Sequence, residues 1–201
     1  MKLYDAQAAN AKRVRIFIAE KGITVPTVQL ELGTDTRSAE FRKLNSLGEV
    51  PVLELDNGNV IADSIAICRY LDLAFPEKPL MGCTAFEIGH IEMWSQRIYQ
   101  ELFLPIGLMV RHQLPLFADV IEQVPDFAAA QRRVMPGKWQ WLDQELSDGR
   151  AFIAGEVFTF ADVQGMTALM LADLFDLAPP DACTHATSWS AKMRNRRSWS
   201  A

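Results

Sequence analysis

A chain of 201 residues with 49% hydrophobic content can bury a substantial core, as one large domain or two small ones. Its formal net charge of -5 argues against a phosphate-backbone binder, which would carry a basic face. The one dense basic run, Lys192 to Arg197, reads as the solvated last turn of a helix, favoured there by the macrodipole.

The first third alternates strand and helix character. "KLYDA" is a short strand, and "NAKRVRIFIAEKG" is a helix with Val14, Phe17 and Ile18 on one face and Gly22 as its stop. The turn between them, Asp5 to Lys12, leads into a cationic helix yet holds no Ser, Thr, Cys or Tyr. It looks built to hold an anion while lacking a side chain to do chemistry on it. "VPTVQLEL" is extended, and "SAEFRKLN" is a short helix capped by Ser38 with Phe41 and Leu44 inward. "VPVLELDNGNVIAD" is a hairpin turned at Asn57-Gly58, and "DSIAICRYLDLAF" is a helix that stops near Pro76.

"PEKPLMGCT" breaks the pattern and reads as a linker. A long amphipathic helix follows, kinked at Pro105, and then a second helical stretch that Pro136-Gly137 interrupts. "FTFADVQGMTALMLADLFDLA" is apolar almost all round, as a buried central helix should be, with Thr159 and Asp162 as its capping pair. The order is βαβ, then ββα, then all-α: an α/β domain over residues 1–75, a linker over 76–84, and a helical domain over 85–201. The start has no apolar leader, and no run is long enough to span a membrane. Cys68, Cys83 and Cys183 form no CxxC pair, which suits reduced thiols in a cytoplasm. The histidines show no ligand spacing with them, so no metal site is expected.

Four stretches in order, "KRVRIFIAEKGI", "NSLGEVPVLELDNG", "IADSIAICRYL" and "FIAGEVFTFADV", resemble the cytosolic glutathione transferases over essentially the whole chain. The resemblance implies a thioredoxin-like N-terminal domain, an all-α C-terminal domain, glutathione as co-substrate and a homodimer. It also implies detoxification chemistry with an apolar small molecule, with no nucleic-acid or membrane partner. At "EVPV" a proline enters a strand, either as an ordinary trans residue at an edge or, as the resemblance implies, in cis at Pro51. Val50 would then hold the cysteinyl backbone of glutathione. Asp63 and Ser64 open a helix, where either can serve as N-cap; the resemblance makes them the γ-glutamyl site, with Asp63 for the ammonium and Ser64 for the carboxylate.

Three positions depart from the family, the smallest change being Ser46 in "NSLG" where Asn-Pro is usual, which leaves the turn looser. The usual Ser of the first loop is Ala8, which has no donor to shift glutathione's thiol below the range near 8.5. Asn10 offers an amide donor in its place, or else caps the first helix. Backbone N–H groups with Lys12 and Arg13 add a positive field; Tyr4 at the strand end is a further candidate, though a tyrosine there is more often a core residue with its hydroxyl at the rim. The second departure is Glu49, an acid near the glycyl end, for which Arg37 or Lys43 could compensate. Phe103, Ile106, Met109 and Trp199 are the apolar candidates for a second-substrate cleft, on a stripe whose spacing is more often core than cleft. Conjugation and reduction of a disulfide or peroxide both remain open. The alternative is a transferase-like module that binds ligands or proteins without catalysis.

Overall fold

The structure is a computed structural model describing residues 1–201. It divides into two compact units, Met1–Met81 with Arg197–Ala201, and Gly82–Arg196.

In the first unit β1 (Lys2–Asp5) is parallel to β2 (Thr27–Gln29) and antiparallel to β3 (Val52–Glu54), which pairs with β4 (Val60–Ala62) in the order β2-β1-β3-β4. A parallel pair needs a crossover, and α1 (Ala9–Lys21) supplies it. Along β1 the pleat buries Leu3 and Asp5 and leaves Lys2 and Tyr4 half-exposed. α1 packs beside α3 (Ser64–Ala74), with Val14, Phe17, Ile67, Cys68 and Leu71 fully buried. On α1 it is Ile16 that is buried with Val14 and Phe17, while Ile18 stays half-exposed. A second cluster gathers Ala6, Ala11, Phe41, Val50 and Val52, with Phe41 supplied by α2 (Ala39–Leu44) and its Ser38 cap. Lys21 closes the far end: its ammonium lies 2.7 Å from the buried Asp72 carboxylate, which also accepts from the Leu80 and Met81 N–H groups.

The last five residues fold with this unit, although they follow the helical domain in the chain. Ser198 donates to Glu20 at 2.5 Å, and the Ala201 carbonyl accepts from Lys12 and, at 3.4 Å, from Arg15. Their sequence carries no periodic signal, so only these tertiary contacts reveal the placement.

The second unit is helical: α4 (Ala85–Ile98), α5 (Leu104–Gln113), α6 (Pro125–Glu145), α7 (Phe160–Leu174) and α8 (Thr184–Arg194). The kink expected at Pro105 is absorbed one turn earlier, as a π-helical turn over Tyr99–Phe103. Proline cannot donate to the carbonyl four residues back and its ring crowds that turn, so a wider turn relieves both faults. The break expected at Pro136-Gly137 does not occur, because α6 runs straight through. An interior proline costs about 3 kcal/mol, and burial of Ala128, Met135, Trp139 and Leu142 along one stripe outweighs it.

α7 is the hub, with every residue from Phe160 to Leu169 buried. Gly165 admits the Trp189 ring, since a Cβ there would stand 2.6 Å from it. Asp162 completes a capping box with Thr159 and also accepts from the Ile153 N–H and the Trp189 indole, each at 3.0 Å.

Candidate functional site

A cleft of about 120 Å³ opens in the first unit, lined by Asn10, Glu49, Val50, Pro51, Asp63 and Ser64, with Asn45, Leu47 and Ala62 at its edges. Four segments meet there: the start of α1, the loop before β3, the end of β4 and the start of α3. The loop is set locally. Gly48 passes the Thr36 carbonyl at positive φ, where a Cβ would stand 2.8 Å from that oxygen. Asn45 braces the same loop by donating to the Glu49 carbonyl at 2.7 Å and accepting from the Leu47 N–H at 3.2 Å.

The Val50–Pro51 peptide is cis. Val50 buries its side chain, yet its N–H and C=O make no hydrogen bond within the protein. A free backbone donor and acceptor on one residue is what an extended peptide pairs with. Beside it, Asp63 caps α3 at a φ of 93°, and its Oδ1 accepts from the Ile65 and Ala66 N–H groups at 2.8 and 3.1 Å. Its Oδ2 has no partner in the protein and can take an ammonium. Ser64 is buried at the first position of α3, where the helix end favours a carboxylate.

Sequence reading treats Lys12 and Arg13 as one positive field, and the structure separates them. Lys12 turns to the Ala201 carbonyl, and burial lowers its pKa. Arg13 points to the cleft, 1% exposed, with Nη1 2.7 Å from Asn10 Oδ1 and 2.5 Å from Ser64 Oγ. Its spacing from Asn10, one helical turn, is the only local signal that could have linked it to the site.

Several expectations need correction. The N-cap of α1 is Ala8, so Asn10 is not a cap but the second helical residue. The Ala8 methyl packs against the Phe41–Val52 cluster. Tyr4 donates its hydroxyl to Glu54 at 2.8 Å and does not line the cleft. Arg37 and Lys43 are exposed and lie outside the cleft lining, because each sits on the outer side of a short helical turn. Ile106 and Met109 are 0% and 1% exposed, and Phe103 is buried too, so this stripe is core of the helical unit and not a surface for substrate. Trp199 is half-buried in the C-terminal turn of the first unit. Cys68 is fully buried and its thiol is pushed well above the ordinary range by that burial, which disqualifies it as a nucleophile. A larger open groove in the helical unit, about 560 Å³ between Arg97, Glu101, Lys138 and Trp141, has Lys138 paired with Glu101 at 2.5 Å.

Comparison with known proteins places this geometry. Residues 9–74 match the glutathione S-transferase N-terminal domain. The chain is 32% identical to glutathione S-transferase 2 of Saccharomyces cerevisiae, over 98% of its own length and 87% of that protein. It superposes on a glutathione S-transferase domain-containing protein of Marinobacter aquaeolei with a TM-score of 0.92 at 34% identity, covering 99% of this chain and all of the other. It is also 29% identical to elongation factor 1-gamma 2 of Oryza sativa, of which the match spans only 36%. The chain belongs to the glutathione S-transferase family, with a thioredoxin-like N-terminal domain and a helical C-terminal domain. No helix is long and apolar enough to cross a membrane.

Proposed function

We propose that this protein is a glutathione-dependent transferase that joins glutathione to an apolar electrophile or uses it to reduce a disulfide or peroxide. One observation carries the reading: the unbonded Val50 backbone lies in one cleft with the free Asp63 oxygen and the Ser64 helix start. An extended γ-glutamyl peptide uses all of these together. Its cysteinyl backbone pairs with Val50, its ammonium meets Asp63, and its α-carboxylate meets Ser64 and the α3 N–H groups. Asn10 then stands at the thiol, where an amide N–H donor and the first turn of α1 favour the thiolate. The apolar partner of the reaction, the homodimer and the cytoplasm belong to this reading through the family.

A second reading, a ligand-binding or protein-interaction module, draws on Ala8 and Glu49, which remove a donor and add a like charge.

The deciding experiment titrates glutathione's thiolate absorbance against pH with and without the protein, beside Ser64→Ala. Catalysis predicts a bound thiol pKa well below about 8.5 and loss of that shift in the variant as binding is lost. Glutathione bound with an unshifted thiol would reject the transferase and leave the module.

A further inference from the structure

Arg13 is the one buried cation that reaches the cleft lining, and it does so through a single nitrogen shared between two elements 51 residues apart. A guanidinium only donates. Both of its partners must therefore present acceptor atoms to it. Asn10 must turn its oxygen inward, which leaves its NH₂ facing the cleft, and that orientation follows from the chemistry of the neighbour. Ser64 must accept through Oγ, which leaves its O–H free to donate outward. Neither the Asn10 NH₂ nor the Ser64 O–H has an acceptor within the protein.

We propose that Arg13 is the positioning residue of this cleft, fixing Asn10 and Ser64 as outward-facing donors and so tuning the site to the thiolate and carboxylate of an anionic thiol peptide. The inference rests on the glutathione reading above and adds what takes over from the missing loop hydroxyl. Arg13 aims both donors through contacts within the protein, so their orientation does not depend on the ligand. The buried positive charge, lying against both donors, also strengthens each of them.

Three variants test it, each measured by calorimetric titration with glutathione, by the pH titration of the bound thiol, and by Tm. Arg13→Gln has no charge and offers both donor and acceptor atoms, so it releases Asn10 to flip. It should weaken glutathione binding about tenfold and move the bound thiol's pKa upward by about one unit. Arg13→Lys, donor-only and cationic, should restore most of both. Asn10→Asp lies on an exposed position and still accepts from Arg13, but exchanges the amide donor for a carboxylate whose charge also opposes the thiolate. It should raise the thiol pKa with Tm unchanged, which covers the case in which Arg13→Gln fails to fold. Wild-type affinity and thiol pKa in folded Arg13→Gln, or an unmoved thiol pKa in Asn10→Asp, would overturn the proposal while leaving glutathione binding intact. Failure of the wild type to bind glutathione at all would remove the reading beneath it as well.

Discussion

Glu49 shows how far a single charge can matter at this site. Its carboxylate is exposed on the cleft lining, forms no ion pair, and has neither Arg37 nor Lys43 beside it in the lining. Two unit charges about 4 Å apart in water interact by about 1 kcal/mol, roughly a fivefold effect on binding, and salt screens it. Glu49→Gln should therefore tighten glutathione binding severalfold at low ionic strength, and Glu49→Lys should tighten it further. Titrations at low and high salt check this; equal affinities for all three proteins at low salt would refute a role for the charge. At this scale the sequence was informative wherever the site is built from neighbours. Val50, Asp63 and Ser64 lie in short stretches whose backbone chemistry is local. Arg13 was not legible in the same way, because its hydrogen bond to Ser64 joins residues 51 apart.

Single elements succeed or fail by how their ends and breakers are handled. α7 starts at a buried carboxylate, and burial pushes Asp162 up to about 6 against the hydrogen bonds that favour its charge. Its pKa in the unfolded chain is about 3.9, so the folded state holds this proton more tightly. The contribution to stability is complete below about pH 4 and is lost as pH rises through about 6, a change on the order of 3 kcal/mol. Asp162→Asn cannot titrate, and its NH₂ faces the Thr159 N–H, donor against donor. We expect the variant to be less stable at every pH and its stability difference from wild type to be larger at pH 4 than at pH 7. Denaturant melts at both values test the sign, and a constant difference would contradict it. The cap pair was readable from the Thr-x-x-Asp spacing. The continuity of α6 through Pro136 was not, because a breaker's cost is local while the stripe that overrides it becomes buried only in the fold. The π turn ahead of Pro105 was hidden for the same reason.

For the whole molecule, motif order suggests an α/β part followed by a helical one but not the assignment of residues 76–81 and 197–201 to the first unit, and the family follows from nearly full-length similarity. What reaches across the surface is harder to read. Leu73 on α3 and Phe86 on α4, at 79% and 76%, are the most exposed of the large apolar side chains. If they serve the homodimer proposed above, light scattering should give twice 22.6 kDa, and Phe86→Glu should return the monomer mass with Tm nearly unchanged. A wild-type mass of one subunit at micromolar concentration would exclude the dimer. The stripe of Phe103, Ile106 and Met109, offered as a second-substrate surface although its spacing favoured core, is core.

The return of residues 197–201 to the first unit has a consequence for how the chain is made. Topologically, the helical unit is an insertion into the thioredoxin-like one. During synthesis the N-terminal sheet and its helices emerge first, but Lys12 and Glu20 on α1 must wait for Ala201 and Ser198 through the translation of everything between. The α1 face that carries Lys12 and Glu20 is therefore the last part of the first unit to be completed, although it is among the first to be synthesised.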